Sequence, residues 1–293
     1  MKQLLYVFAL FLCTTAHAIE IEHELGVTKF EETPTRVVAL NWSLTETLIA
    51  LGVTPTAMAD IEGYKTWVSV PELPDGITDV GIRREPNLEA IKAIKPDLIL
   101  ISKELAPAYA QLNAIAPTVS VSVFNDEKQP IINAKKMTEM LGKILGKEAE
   151  AKQLIAQTDA IIATNAKRIS SDMESLLFIR FLSERTVRVH SEGSLLHDTI
   201  KQMGLTNTWQ DDTNIWGFTK AGVSKLAKHQ DARVLVIGPL SDAEQAQLKS
   251  AKLWQLMAFS KENRVHILPA IWTYGSLVAA QRFSEQVALS LTQ

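Results

Sequence analysis

The chain repeats one order of sequence patterns on either side of a long segment without proline or glycine. In both halves a helical apolar pattern closes at a glycine, with matched positions Leu48, Leu51, Gly52 and Thr54 in the first half and Ile200, Met203, Gly204 and Thr206 in the second. A second match lies eleven and eight residues ahead of a strand: Leu88 and Ile91 before Ile99, and Val223 and Leu226 before Val234. Two matches in the same order predict two related lobes.

Short apolar runs alternate with helical patterns in each half. The predicted strands cover residues 37–40, 98–101 and 119–123, then 176–179, 187–189 and 234–237. This alternation predicts parallel α/β units, so we expect two Rossmann-like α/β lobes. Each lobe has enough apolar content for a core of its own.

The segment between the halves predicts one long α-helix over residues 147–170, because it is rich in alanine, lysine, glutamate and glutamine. A surface helix of a single domain is the alternative reading. We favour a connector, with an N-terminal lobe at 19–146 and a C-terminal lobe at 171–293. A ligand cleft is then expected between the lobes.

Residues 1–18 have the pattern of a signal peptide. Lys2 precedes a short apolar run, and residues 16–18 have the small-x-small pattern that signal peptidase accepts. Cleavage after Ala18 and a periplasmic location are expected. The only cysteine, Cys13, lies in the removed segment, so no disulfide or thiolate remains. A lipoprotein anchor at Cys13 is the alternative, although the preceding Leu12 is bulky for that processing.

Charge and motifs argue against nucleic acid and against catalysis. The net charge of −3 gives no basic field for DNA or RNA. The common hydrolase, metalloprotease and nucleotide-binding motifs are absent from the sequence. Five histidines outside the signal peptide are too scattered for a compact metal site. An acid pair among Glu184, Glu192, Asp211 and Asp212 is conceivable, but solvated loop charges explain these residues better.

Tryptophans cluster near predicted strand ends and loops, where open α/β sheets bind ligands. They are Trp42, Trp67, Trp209, Trp216 and Trp272. Core packing is the alternative for each ring, and it suits Trp254 best. Arg83 and Arg84 lie in a turn near the start of a first-lobe helix, either as donors to anionic oxygens or as solvated charges.

These residues belong to a longer set of segments: VALNW (38–42), ALGVTP (50–55), YKTWVS (64–69), VGIR (80–83), EPNLE (85–89), WQ (209–210), TN (213–214), WG (216–217), PAIW (269–272) and YG (274–275). Over about 37–287 the sequence resembles the periplasmic ferric-hydroxamate-binding proteins of the FhuD type, within the helix-linked binding proteins of ABC importers. The resemblance implies two α/β lobes joined by a long helix, moving little on binding, with a shallow aromatic cleft.

The resemblance also implies a cargo, a ferric hydroxamate siderophore such as ferrichrome or ferrioxamine. Three hydroxamates fill the coordination sphere of Fe(III), so no protein metal ligand and no cofactor are expected. The implied partner is an inner-membrane ABC permease with a cytoplasmic ATPase, served by a monomer. A haem or corrinoid cargo on the same fold is an alternative, and a carbohydrate hydrolase is a more distant one.

Site residues follow from the matched segments. Arg83 matches the arginine that donates to the iron-bound hydroxamate oxygens. Aromatic positions in or around the cleft match Trp67, Trp209, Trp216, Trp272 and Tyr274, and Trp42 and Asn214 lie in the same segments.

The sequence departs from the family at two cleft positions. Leu105 stands where the family has a tyrosine, and Tyr109 is expected to reach the same space if the loop is helical. Phe218 replaces a small residue, so the cleft is expected to be narrower or more apolar. These departures leave the preferred siderophore open.

The wider class docks its importer through one acidic residue on each lobe. Glu89 matches the first-lobe position. The second-lobe position aligns to Ser224, so that contact is either lost or supplied by another acid.

Overall fold

The computed structural model describes residues 18–169 and 175–292. The predicted signal peptide with Cys13 therefore lies outside the described residues, except for Ala18, as does position 170 at the end of the predicted connecting helix. Within the described ranges no helix is long and apolar enough to cross a membrane.

The N-terminal lobe opens with an antiparallel hairpin, β1 (Ile19–His23) and β2 (Gly26–Phe30). Its main sheet is parallel and has the order β5-β4-β3-β8-β9. The strands are β3 (Val37–Ala39), β4 (Ala57–Met58), β5 (Thr78–Asp79), β8 (Leu98–Ile101) and β9 (Thr118–Ser120), and a small hairpin is formed by β6 (Gly81–Ile82) and β7 (Glu85–Pro86). The helices are α1 (Trp42–Ala50), α2 (Ile61–Trp67), α3 (Leu88–Ile94) and α4 (Tyr109–Asn113), with a 3-10 helix at Lys103–Ala108.

Two helices follow the first lobe, α5 (Pro130–Leu145) and α6 (Glu148–Ala166). Gly146, at φ +62°, ends α5 in the left-handed conformation that favours glycine. The helix in the predicted connector segment thus begins at Glu148 and ends at Ala166. It packs between α5 and the last helix of the chain.

The C-terminal lobe has a sheet of order β12-β11-β10-β13-β14. Its strands are β10 (Leu176–Ser183), β11 (Thr186–His190), β12 (Phe218–Gly222), β13 (Arg233–Gly238) and β14 (Val265–Ala270). Its helices are α7 (Leu195–Gln202), α8 (Asp242–Ser250), α9 (Lys252–Leu256), α10 (Ala258–Lys261) and α11 (Leu277–Thr292), with a 3-10 helix at Val223–Lys228.

The expectation of parallel units holds for β10, β13 and β14 but is wrong for β11, which is antiparallel to both of its neighbours. Only Glu184 and Arg185 separate the paired residues Ser183 and Thr186. A parallel crossover needs about a dozen residues or more, so this connection can only form a hairpin.

The sequence repeat corresponds to equivalent structure in the two lobes. Gly52 and Gly204 both end their helices at φ +76°. After Gly52 the chain enters β4 beside β3, and after Gly204 it forms one parallel bridge, Leu176 with Asn207, beside β10. Strands β3 and β10 therefore have the same place in the two sheets.

Buried apolar side chains form a central core that both lobes share, with an outer core in each lobe. The central core joins the inner faces of both sheets through α1, α5, α6, α7 and α11. The expected separate cores of the lobes are the outer ones. The lobes are consequently joined by packing as well as by the connecting helix.

A buried carboxyl group links the first lobe to the last helix. Glu46 of α1 is fully buried and accepts a hydrogen bond from the backbone N–H of Ser276, just before α11. Burial raises the pKa of Glu46 to about 8, against the opposing effects of the Ser276 N–H and the Arg282 charge. Glu46 therefore carries a proton at neutral pH.

Candidate functional site

A cleft lies between the lobes, at the carboxyl ends of β3 and β8 and beside β11, the start of β12 and the segment after β14. Its main cavity has a volume of about 300 Å³. The lining side chains are Leu40, Asn41, Arg83, Arg84, Ser102, Glu104 and Leu105 from the N-terminal lobe and Arg188, Trp216, Phe218, Trp272 and Tyr274 from the C-terminal lobe. An adjoining cavity of about 260 Å³ shares part of this lining and adds Phe124 and Ile215.

Arg83 lies in the turn between β6 and β7, which Gly81 opens at φ +91°. Its guanidinium carbon is 3.7 Å from the ring centroid of Trp42 and 5.2 Å from that of Trp272. The Nε atom is 3.6 Å from a carboxylate oxygen of Asp60, and it is buried without a hydrogen-bond partner among the described residues. Desolvation lowers the pKa of Arg83, whereas Asp60 and Glu104 act in the opposite direction.

A run of rings supports Arg83 and continues across the cleft. The ring centroids of Trp42 and Trp272 are 4.8 Å apart, and those of Trp272 and Tyr274 are 5.1 Å apart. Trp42 is only 2% exposed, and its Nε1 donates to the backbone oxygens of Ala59 and Asp60. Trp42 therefore supports the Arg83 guanidinium with its ring face, and it does not line the cleft.

The C-terminal wall is built around Arg188 of β11. Its Nη1 donates to the Tyr274 hydroxyl at 2.6 Å, and its guanidinium carbon is 4.2 Å from the centroid of Phe218. Phe218 in turn stacks on Trp216 at 6.3 Å. Burial raises the pKa of Tyr274, with the charges of Arg188 and Arg180 opposing. The predicted residues Phe218, Trp216, Trp272 and Tyr274 thus meet on one wall.

Besides Trp42, three predicted site residues do not line the cleft. Trp209 is 2% exposed and packs in the outer core of its lobe, 5.1 Å from the ring of His229. Tyr109 packs on the N-terminal outer core, 6.0 Å from the ring of His23, and it does not line the cleft, whereas Leu105 does. Asn214 accepts from the backbone N–H groups of Trp216 and Phe218, so it holds the loop that carries them.

Two further predicted positions are at the edges of the site. Trp67 is half-buried on α2, and its ring centroid is 4.1 Å from the guanidinium carbon of Arg180 on the other lobe. Glu89 is exposed in the first turn of α3, and Ser224 is exposed at the equivalent place in the second lobe.

The sequence reasoning missed Arg180 and Arg188. The available signal was a charge inside an apolar strand: Arg180 follows the buried run Leu176–Ile179, and Arg188 stands between the buried Val187 and Val189. An arginine at such a position is rare unless it faces a ligand or a partner charge.

The structure gives no support for a metal centre or an acid pair. Among residues 18–169 and 175–292, no three His, Cys, Asp or Glu side chains lie close enough to hold a metal ion. Glu184, Glu192, Asp211 and Asp212 are all exposed, and none lines the cleft.

Known proteins resemble this chain over most of its length. Residues 37–271 match the family described as periplasmic binding protein. The iron(3+)-hydroxamate-binding protein FhuD of Escherichia coli (strain K12) is 34% identical over 275 residues, which cover 94% of this chain and 89% of that protein. The Fe(3+) dicitrate-binding periplasmic protein FecB of the same organism is 31% identical over 266 residues, covering 89% and 86%.

A solved structure shows the same architecture. The crystal structure of the siderophore-binding protein FhuD from Vibrio cholerae, bound to Fe3+-Desferal, has a TM-score of 0.82 to this chain at 30% identity. The match covers 88% of this chain and 98% of the other. The two-lobe α/β fold is therefore common to both proteins.

Proposed function

Because the chain belongs to the periplasmic binding protein family, we propose that it captures a ferric hydroxamate siderophore, of the ferrichrome or ferrioxamine class, in the interlobe cleft. It then delivers this cargo to an inner-membrane ABC importer for iron uptake, without catalysis. In this proposal the protein is exported to the periplasm by its signal peptide and acts as a monomer. Its relatives FhuD and FecB bind an iron(3+) hydroxamate and Fe(3+) dicitrate, respectively.

The observation that carries the proposal is the position of Arg83. The half-buried Arg83 guanidinium packs against the rings of Trp42 and Trp272 and lines the cleft. Oxygens on the surface of a ferric hydroxamate complex are suitable acceptors for such a donor. A hydrogen bond to a charged group contributes about 1.5–3 kcal/mol, so this one contact can account for a large part of the specificity.

The rest of the lining fits a rounded, partly apolar complex. Trp216, Phe218, Trp272 and Tyr274 provide ring surface against the organic shell of the siderophore. The iron is cargo whose ligands all come from the siderophore, so the protein needs to recognise the outside of the complex only.

The first test is titration of the mature protein with ferrichrome, ferrioxamine B and ferric aerobactin, followed by tryptophan fluorescence. We expect saturable quenching by at least one of them, and affinity about ten-fold or more weaker in Arg83→Ala. Arg83→Lys should fall between the two, because it keeps the charge but loses the planar fork of donors.

Haemin and cyanocobalamin serve as controls for cargo class. Tighter binding of either one than of every ferric hydroxamate would overturn the proposal in favour of a haem or corrinoid carrier. Turnover in glycosidase assays would overturn the non-catalytic role.

Importer docking is proposed to use Glu89, which is exposed on α3 outside the cleft. We expect Glu89→Arg to impair uptake in cells while the purified variant binds its siderophore normally. Glu62→Arg, an exposed acid on α2, is the control with unchanged uptake. Normal transport by Glu89→Arg would contradict this role.

A further inference from the structure

Two arginines face each other on neighbouring strands of the C-terminal lobe. Arg180 of β10 is the direct cross-strand partner of Arg188 of β11 in the antiparallel register. Like charges placed directly opposite destabilise a sheet, and side chains at such positions lie about 5 Å apart at Cβ. A bound anion would relieve this repulsion.

The surrounding protein does not supply that anion. Among the described residues Arg180 makes no hydrogen bond or ion pair, and Glu244 attracts it only from beyond ion-pair distance. Arg188 has one hydrogen bond, to the neutral Tyr274 hydroxyl, and its buried Nε has no partner in the described ranges. Desolvation lowers the pKa of Arg180, with the charge of Arg188 adding to the effect.

The two side chains lie where the lobes meet, with Arg188 in the lining of the cleft and Arg180 next to it in the sheet. Arg188 lines the main cavity. Arg180 reaches across to the other lobe, where its guanidinium lies over Trp67, and it is close enough to act on the charge state of Tyr274. Arg188 therefore shares the main cavity with Arg83 and contacts Tyr274, and Arg180 lies beside Arg188.

The cleft as a whole has more positive than negative side chains. Arg83 has Asp60 as its counter-ion, and Glu104 is the carboxylate of the lining, whereas Arg84 and Arg188 also line the cavity. Fe(III) with three hydroxamate anions is electrically neutral and offers nothing to balance this excess. A siderophore that joins hydroxamates to carboxylates forms a negatively charged ferric complex, which does balance it.

We infer that Arg180 and Arg188 form an anion site for a carboxylate group of the cargo, and that the preferred ligand is an anionic hydroxamate–carboxylate ferric siderophore. This inference rests on the proposed capture of a ferric hydroxamate, and it shifts the preferred cargo from the neutral ferrichrome class to an anionic hydroxamate. Arg83 would hold the hydroxamate side of the complex and the arginine pair its carboxylate side.

The test is a charge series of hydroxamate probes measured by isothermal titration calorimetry. Ferric aerobactin, built on citrate, is anionic; ferrichrome is neutral; ferrioxamine B carries a free ammonium group. We expect the mature protein to bind them in that order of decreasing affinity. In Arg180→Gln and in Arg188→Gln, the ratio of aerobactin to ferrichrome affinity should fall about ten-fold, the value of one charge-assisted hydrogen bond.

Arg185→Gln is the matched control, because Arg185 is exposed in the turn of the same hairpin. It should leave the affinity ratio unchanged. Circular dichroism and melting temperature of each variant separate a binding defect from a folding defect.

The outcomes distinguish this inference from the proposed function. Ferrichrome binding as tight as aerobactin binding, with a ratio insensitive to Arg180→Gln, overturns the anion site and leaves the hydroxamate proposal standing. Binding of ferric dicitrate with no response to any hydroxamate, aerobactin included, overturns both the hydroxamate proposal and the hydroxamate–carboxylate ligand. Absence of binding to every ferric complex overturns both.

Discussion

The two lobes have sheets with equivalent central strands, but they differ in how the charges of their cleft arginines are balanced. In the N-terminal lobe β4 lies parallel to β3, and Arg83 lies further along the chain, in the turn between β6 and β7, with Asp60 as its counter-ion. In the C-terminal lobe the same place beside β10 is taken by the hairpin strand β11, and the segment equivalent to β4 keeps a single bridge at Asn207.

The difference shows how a duplicated fold can acquire an asymmetric site. The hairpin puts Arg188 opposite Arg180 and adds positive charge without an acidic partner, while the N-terminal arginine is balanced within its own lobe. The lobes thus differ in the charge that they present to a ligand. Arg83 of the N-terminal lobe has a carboxylate counter-ion, whereas Arg180 and Arg188 of the C-terminal lobe have none among the described residues.

The strongest test of how the lobes depend on each other is Glu46→Ala. The substitution removes a fully buried acceptor of the Ser276 N–H and leaves a cavity between α1 and α11. We expect a loss of about 3–5 kcal/mol in the free energy of unfolding, measured by urea denaturation. Glu285→Ala, exposed on α11, is the control with little change. A small loss for Glu46→Ala would mean that the lobes are joined by other contacts.

The protonation of Glu46 predicts a pH dependence of stability. Because the pKa of Glu46 is raised to about 8 in the native state, this state holds a proton that the unfolded chain releases above its ordinary pKa near 4.5. Stability is therefore highest below that pH, falls as the pH rises to about 8, and is level above it. We expect a decrease of roughly 3 kcal/mol between pH 5 and 8.5.

Glu46→Gln is the control for this pH effect, since the amide does not titrate. The decrease between pH 5 and 8.5 should be much smaller in this variant. An equal decrease in both proteins would assign the pH effect to other groups.

Arg83→Ala and Arg180→Ala separate the contributions of the lobes to binding. Arg83→Ala should weaken every ferric hydroxamate by about 1.5–3 kcal/mol, because the lost donor faces the part that all share. Arg180→Ala should affect anionic complexes most. Calorimetric titration with ferrichrome and ferric aerobactin gives both values, and identical profiles for the two variants would remove the distinction between the lobes.

The paired glycines test whether the repeat is equivalent in energy as well as in geometry. Gly52→Ala and Gly204→Ala each place a Cβ in open space at φ +76°. We expect each to cost about 1 kcal/mol, from backbone strain alone. Gly217→Ala should cost more, because its Cβ would lie 1.8 Å from the Ser194 nitrogen. Unequal costs at the two paired sites would contradict the equivalence.

The smallest expected effect comes from removing the counter-ion of Arg83, so that the arginines of both lobes lack an acidic partner. Asp60→Asn removes the counter-ion of Arg83 but keeps an acceptor for the Gly63 N–H at the start of α2. Affinity for ferric aerobactin should rise by about 0.5 kcal/mol, the size of a half-exposed ion pair. A drop in affinity would mean that Asp60 is needed to orient Arg83.

The sequence predicted most of the helices and strands because they depend on local patterns. Helices that end at Gly52 and Gly204 and the buried strands around Ile99 and Val234 follow from periodicity and turn residues. The hairpin was missed because Glu184 and Arg185 lack the glycine or asparagine typical of two-residue turns. Because the hairpin was not predicted, the strand register that places Arg180 opposite Arg188 could not be predicted either.

The site was predictable in part, for a related reason. Arg83, Trp272 and Tyr274 line the cleft between the lobes, and their role in binding stays a prediction. An aromatic residue beside a strand can face either side of the sheet, and sequence alone does not decide which. The sequence therefore did not predict that Trp209 packs in the outer core or that Tyr109 packs near His23.

The shared central core also has a consequence for biosynthesis. Helix α11, the last sixteen described residues, completes packing begun by α1, α5 and α6. A nascent chain still lacking this helix exposes apolar surface from both lobes, and neither lobe can close it alone. If the protein is exported as proposed, we expect folding of the two lobes to be completed only after α11 has emerged.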